Sequence, residues 1–81
     1  MKVLVLDESK ILFQGEAKRV ICPGEQGVFE IAPFHRPFMS CLLSGTVIVD
    51  DQLFPIERGL AKAVNDEVSV VVQTYYPKKS D

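Results

Sequence analysis

The stretch GEQGVFEIAPFHRP, residues 24–37, combines two glycines three positions apart, a strand-like run and a loop whose histidine lies between two prolines. Glycine permits the positive φ that tight turns need, whereas proline fixes φ and removes a backbone donor. The stretch therefore predicts a turn, a strand over residues 28–31 and a sharply shaped protruding loop. Such a loop is better suited to docking than to holding a reactive pocket.

On both sides of this stretch the apolar runs are short, rich in Val, Ile, Leu and Phe, and bounded by turn residues. This pattern is typical of consecutive strands, and no run keeps an apolar 3.6-residue period over ten or more residues. The predicted strands are residues 2–6, 11–14, 16–22, 28–31, 38–43, 46–49, 52–56, 60–64 and 67–73.

Turn residues separate these runs, which favours consecutive antiparallel hairpins. Residues 14–15, 23–27, 44–45, 50–51, 58–59 and 65–66 are the expected breaks. Since closure removes exposed strand edges, the sequence predicts an all-β domain, a flattened antiparallel β-sandwich or barrel of about eight to ten short strands with no substantial helix. The domain is expected to span residues 1–73, with 74–81 as a flexible C-terminal tail.

Alternation of apolar and polar residues marks half-buried strands at residues 18–22 and 60–64. The alternation blurs in Val68-Ser69-Val70-Val71-Val72. Both faces of that strand are therefore expected to be covered, one by the core and one by a neighbour or a partner.

Composition narrows the function classes. The 81 residues include 9 basic and 11 acidic side chains, so no strong field of either sign exists and nucleic acid is not an expected partner. No apolar run approaches the roughly 18 residues of a membrane span. Cys22 and Cys41 are expected to be small, buried, apolar side chains in a reducing compartment, although a single bridge between them stays open.

Catalytic and metal sites are poorly supported. Ser40, His35 and Asp50 can be assembled into a nominal triad, but no nucleophile elbow accompanies them. His35, Cys22 and Cys41 lack a fourth zinc ligand and a closely spaced ligand pair. The two glycines at 24 and 27 lead into a strand rather than a helix, which argues against a phosphate loop. We expect no catalytic residue, no cofactor and no metal.

Two interpretations stay open for the loop that holds the single histidine. His35 either makes a structural hydrogen bond within the loop or contacts a partner. The large apolar residues Phe34, Phe38 and Met39 surround it in sequence, and they either cap the open end of the sandwich or serve as interface anchors.

These residues resemble a known family, the amino-terminal β-domain of the epsilon subunit of rotary ATP synthases, called delta in mitochondria. The resemblance covers residues 11–72. It comprises Phe13-x-Gly15, Pro23-Gly24-Glu25-x-Gly27-x-Phe29-x-Ile31-x-Pro33-x-His35-x-Pro37, Leu42-x-x-Gly45-x-Val47, Gly59, Val64-Asn65 and Val68-x-Val70.

The chain departs from the family pattern at three positions. The family usually has a glycine before the histidine and a small residue after it, where this chain has Phe34 and Arg36, and it often has a glycine at the position of Arg58. The carboxyl-terminal helical hairpin typical of the family, which brakes ATP hydrolysis, is expected to be absent.

The resemblance implies a non-catalytic central-stalk subunit of a proton- or sodium-driven ATP synthase, coupling gamma rotation to the c-ring without that inhibitory hairpin. It implies a peripheral location on the cytoplasmic face of the bacterial inner membrane, and self-association when the chain is isolated. Val28, Glu30, His35 and Arg36 would face the c-ring. Ser9, Phe38, Met39 and Leu42 would lie on the gamma side. The alternatives are a free-standing protein-binding module of the same fold and, with less support, a small enzyme.

Overall fold

The computed structural model describes residues 1–74, which form nine strands and no helix. The strands are β1 (Lys2–Leu6), β2 (Ile11–Glu16), β3 (Val20–Gly24), β4 (Gly27–Ile31), β5 (Phe38–Leu42), β6 (Gly45–Val49), β7 (Gln52–Ile56), β8 (Arg58–Val64) and β9 (Glu67–Gln73). The predicted fold class and strand number are confirmed. The predicted tail falls, except for Thr74, outside the described residues.

The sheet runs in the order β2-β1-β9-β8-β5-β3-β6-β7, with β4 paired to the other edge of β3. Only one register pair, Gly24 with Leu42, joins β3 to β5. The sheet folds over at this link into two layers. One contains β2, β1, β9, β8 and β5, and the other contains β7, β6, β3 and β4.

Side chains on the inner faces of both layers form one core. Its largest fully buried members are Ile31, Ile56, Val5, Val20, Val47, Val49, Val68 and Val70. Alternation places them there, because successive strand residues point to opposite faces. In β8, for example, Ala61 and Ala63 are buried while Leu60 and Val64 are exposed.

Aromatic pairs close the two open sides of the sandwich. Phe13 of β2 meets Phe54 of β7 with ring centroids 6.4 Å apart, and Phe29 of β4 meets Phe38 of β5 at 5.8 Å. Both pairs have the edge-to-face geometry that aromatic quadrupoles favour. The two layers are thereby bridged along both margins as well as through the core.

The prediction of consecutive antiparallel hairpins is only partly right. β1–β2, β3–β4, β6–β7 and β8–β9 are antiparallel neighbours, but β2 does not pair with β3, nor β4 with β5, nor β7 with β8. β1 instead pairs with β9 in parallel, over Lys2–Leu6 and residues 67–71. The parallel pairing lets Val3 and Val5 extend the same buried surface as Val68 and Val70.

Several strand boundaries also differ from the prediction. β8 begins at Arg58, so the break expected at residues 58–59 is wrong, and the largest changes lie between β2 and β3. β2 continues through Gly15 to Glu16, and β3 begins only at Val20. The interruption at residues 17–19 has a tertiary cause, since Asp50 Oδ1 accepts hydrogen bonds from the backbone N–H groups of Lys18 (2.9 Å) and Arg19 (3.2 Å). β3 therefore starts only after these hydrogen bonds to the turn between β6 and β7.

The expected loop over residues 23–27 is instead a tight hairpin. Gly24 pairs with Gly27, so only Glu25 and Gln26 form the turn between β3 and β4. Gly27 has a φ of 115°, which side chains with a Cβ rarely adopt. Gly24 is required for a different reason, because an added Cβ would lie 2.7 Å from the Phe29 ring.

Cys22 and Cys41 are both free, so the open possibility of a bridge between them is not realised. Cys22 lies in the core, and burial raises the pKa of its thiol to about 12. Cys41 is exposed on β5, so the prediction that both cysteines are buried is wrong for Cys41. Since the thiolate is the reactive form, burial and the raised pKa both make the Cys22 thiol unreactive in the folded protein.

Treatment of the folded protein with a maleimide at about pH 8 is expected to modify Cys41 and to spare Cys22. Intact-mass and peptide mass spectrometry would report one adduct, and a second would appear only after denaturation. Modification of Cys22 at the rate of Cys41 in the folded protein would contradict the buried position of β3.

Candidate protein-binding surfaces

An apolar stripe crosses the outer face of the five-stranded layer, one residue per strand. Its members are Ile11, Leu6, Val71, Leu60 and Cys41, which we call the outer stripe. Register brings them into line, because Leu6 pairs with both Ile11 and Val71, and Leu60 pairs with both Val71 and Cys41. At the usual strand spacing the stripe is about 19 Å long.

The outer stripe is not covered by any part of residues 1–74. Val71, at its centre, is 50% exposed, and Ile11, Leu60 and Cys41 are also exposed. Single exposed apolar residues are common on protein surfaces, whereas a contiguous row marks an interaction site. The blurred alternation of residues 68–72 was the feature of the sequence that indicated this apolar row. The second face of β9 was expected to be covered, and none of residues 1–74 covers it.

A shallow concavity of about 570 Å³ lies along the outer stripe. Cys41, Leu60 and Val71 form part of its wall, and Asp7, Glu8 and Arg58 contribute charged side chains. The Arg58 guanidinium lies 3.5 Å from the neighbouring Glu57 carboxylate. The surface thus combines an apolar floor with charges of both signs at its margin, the usual composition of a protein interface.

Ser9, predicted for the gamma side, lies in the turn between β1 and β2, just beyond the stripe residue Leu6. Asp7 organises this turn. Its Oδ1 accepts hydrogen bonds from Ser9 N (2.8 Å), Ser9 Oγ (3.0 Å) and Lys10 N (2.8 Å). The backbone N–H of Ser9, followed by that of Lys10, holds the pKa of the Asp7 carboxyl below its ordinary value of 3.8.

The variant Asp7→Ala is expected to be less stable than the wild type near neutral pH, because it removes the acceptor for these donors. A lowered folded pKa means that the stabilisation is complete above the unfolded value of 3.8 and is lost as the pH falls through the folded value. Urea unfolding followed by circular dichroism should show the two proteins converging below about pH 3.8. A difference that grows on acidification would contradict this role of Asp7.

The other gamma-side residues divide between the two faces of β5. Met39 is 61% exposed on the outer face, two residues from Cys41 of the outer stripe. Phe38 points inward and packs on Phe29, and Leu42 is only 2% exposed in the core. Met39 is therefore available to a partner, while the Leu42 side chain supports the sheet from within.

Val28 and Glu30, predicted for the c-ring side, lie together on the outer face of β4, opposite Pro23 and Ile21 of β3. Val28 is 75% exposed. It also lines a second concavity of about 590 Å³ together with Met39. The two predicted partner-binding sets thus meet at this concavity between β4 and β5, a proximity that their sequence separation does not indicate.

The loop between β4 and β5, residues 32–37, carries His35 and Arg36. Arg36 is exposed, whereas the His35 ring is partly buried and its Nδ1 lies 3.4 Å from the Arg36 carbonyl oxygen. Of the two open interpretations of His35, this contact favours the structural one. Phe34 is fully exposed, so it does not cap the end of the sandwich.

The residues of the nominal triad and zinc site have other surroundings. Asp50 Oδ1 accepts the two backbone N–H groups of residues 18 and 19, and Cys22 lies in the core. Residues 1–74 contain no group of three or more His, Cys, Asp or Glu side chains placed to hold a metal ion. They also contain no helix with the length and apolar character needed to cross a membrane.

Comparisons with known proteins agree with this architecture. The family model for the β-sandwich domain of the ATP synthase delta/epsilon chain matches residues 1–78. The ATP synthase epsilon chain of Clostridium perfringens is 31% identical over 87 residues, which cover 99% of this chain and 65% of that relative. The epsilon chain of Leptospira interrogans is 29% identical over 75 residues, covering 88% and 59%.

A solved structure shares the fold. The central stalk and c-ring structure of the Tetrahymena thermophila mitochondrial ATP synthase contains a chain that aligns with a TM-score of 0.72 at 14% identity. The alignment covers 89% of this chain and 62% of that one. This chain therefore spans somewhat less than two thirds of the length of the proteins that it matches. With a family model matched over nearly its whole length, the chain belongs to the family of ATP synthase delta/epsilon chain β-sandwich domains.

Proposed function

We propose that this chain is a non-catalytic central-stalk subunit of a rotary ATP synthase and couples rotation of gamma to the c-ring. Ion flow through the membrane part, of protons or sodium, would drive the rotation. The complex would place the chain peripherally at the cytoplasmic face of a bacterial inner membrane. The observation that carries this proposal is the outer stripe, an apolar row on a domain whose family belongs to this enzyme.

The outer stripe is proposed as the contact with gamma. Met39 and Ser9 lie at two margins of the same face, so a single partner could touch both while covering the apolar row between them. Burying such a row removes apolar surface from water, at roughly 25 cal/mol per Å². The stripe also leads us to expect self-association of the isolated chain, since uncovered apolar rows pair readily with each other.

The second set, Val28 and Glu30 on β4 with His35 and Arg36 in the loop, is proposed as the contact with the c-ring. Transmission of torque between the two contacts requires a body that resists shear. The two aromatic pairs and the close-packed core between the layers supply this resistance, because protein interiors have low compressibility.

The test begins with an ATP synthase complex from which this subunit has been removed. Adding back the purified full chain is expected to restore proton or sodium pumping driven by ATP hydrolysis, measured in proteoliposomes with an ion-sensitive dye. Co-purification of the chain with gamma is expected from the same material. Varying the ion supplied identifies which one the complex transports.

Two results would reject the proposal. Failure to restore pumping despite stoichiometric incorporation would reject the coupling role. Failure to bind gamma at all, with a folded chain, would favour the alternative of a free-standing protein-binding module with another partner.

A further inference from the structure

Phe34 combines two unusual properties. Its φ of 67° lies in the left-handed region that favours glycine, and its side chain is fully exposed, with a fractional exposure of 101%. Bulky residues adopt this region rarely, because the Cβ crowds the following carbonyl. A strained backbone usually indicates a local functional constraint.

The residues on either side show why Phe34 points outward. Prolines at 33 and 37 restrict the loop, and the ring of His35 turns inward, where its Nε2 is buried. The positive φ at residue 34 turns the backbone so that the Phe34 side chain points outward and the His35 ring points inward. The loop therefore presents the Phe34 side chain to solvent, without packing it on the sandwich.

We propose that Phe34 is an anchor that inserts into an apolar pocket on the protein subunit met by the loop of residues 32–37. This inference rests on the proposed function, in which that subunit belongs to the c-ring. Aromatic side chains that fill pockets supply most of the energy of many interfaces. The prolines and the positive φ already restrict the backbone that carries the ring, so the loop loses little conformational freedom on binding, which favours affinity.

Arg36 places a positive charge close to Phe34, where it could contribute to recognition of the same partner. It is exposed two residues from Phe34, and residues 32–37 contain no acidic side chain. Within residues 1–74 the ion pairs are those of the amino terminus with Glu16 and of Arg58 with Glu57, so Arg36 is not neutralised there. The pocket that receives Phe34 would thus carry a carboxylate at its rim.

Two variants distinguish a role of Phe34 in binding from a role in the stability of the fold. Asn tolerates the left-handed region, so Phe34→Asn keeps the backbone while removing the ring. Phe34→Tyr keeps the ring and the strain. We expect Phe34→Asn to have a Tm no lower than that of the wild type, and to bind the subunit-depleted complex with a Kd raised on the order of 30-fold. The Kd of Phe34→Tyr should stay within about threefold of the wild type.

The measurement is a titration of labelled full-length chain onto the depleted complex in detergent, with thermal unfolding in parallel. Unchanged affinity of Phe34→Asn would overturn the anchor, and so would an affinity loss accompanied by a lowered Tm. If the wild type itself did not bind the complex, the proposed function would fall and this inference with it. Binding of the wild type, but not of Phe34→Asn, to protein-free phosphatidylethanolamine and phosphatidylglycerol vesicles would place the ring in lipid and overturn the protein pocket.

Discussion

Val71→Asp is expected to weaken binding of the chain to gamma, its proposed partner, by at least about 30-fold, while the domain stays folded. Val71 lies at the centre of the outer stripe, between Leu6 and Leu60, and half of its surface is already in water. A carboxylate placed there would be buried without a partner on forming the complex, which is costly. Pull-down and titration calorimetry with purified gamma would measure the loss.

Leu53→Asp provides the matched control for this experiment. Leu53 is exposed on β7 of the other layer, outside the outer stripe, and the substitution introduces the same charge into a similar strand environment. Its affinity for gamma is expected to match the wild type. Equal affinities for Val71→Asp and Leu53→Asp would remove the outer stripe from the interface.

Ile56→Ala is expected to lower the free energy of unfolding by about 3 kcal/mol. Ile56 ends β7, is 0% exposed, and is among the largest fully buried side chains of the core. Truncation removes apolar contacts and leaves a cavity that a close-packed interior fills only partly. Since domains of this kind are stable by roughly 5–15 kcal/mol, the loss is a large part of the total.

Urea unfolding of Ile56→Ala at neutral pH, followed by circular dichroism, measures this effect. Leu53→Ala in the same strand is the comparison, and it is expected to change stability by less than about 0.5 kcal/mol because the residue faces solvent. Similar losses for the two variants would contradict the assignment of the inner and outer faces of β7.

Local sequence patterns were sufficient for the strands and their number, since alternation and turn residues act within a few positions. They failed where a contact between residues far apart in the sequence determines a strand boundary or a strand pairing. The start of β3 depends on the Asp50 carboxylate, some thirty residues away, and the parallel neighbour of β1 depends on where β9 completes the core. Neither of these long-range contacts can be identified from the local sequence.

The proposed binding surfaces were predictable in part. The blurred alternation around Val71 indicated an extra apolar face, but the stripe emerges only when the register aligns five strands. Leu42 and Met39 were grouped on one side although their faces are opposite, since residues three apart on a strand point in different directions. The departure at Phe34 was visible in the sequence, whereas its positive φ required the structure.

The parallel pairing of β1 with β9 has a consequence for biosynthesis. β1 is translated before the other eight strands of the domain, yet its neighbour at residues 67–73 is translated almost at the end of the domain. Until then the nascent chain can form hairpins, but it cannot complete the five-stranded layer in which β9 lies between β1 and β8. Such non-local pairing slows folding, so this domain matures only after its ninth strand has been released.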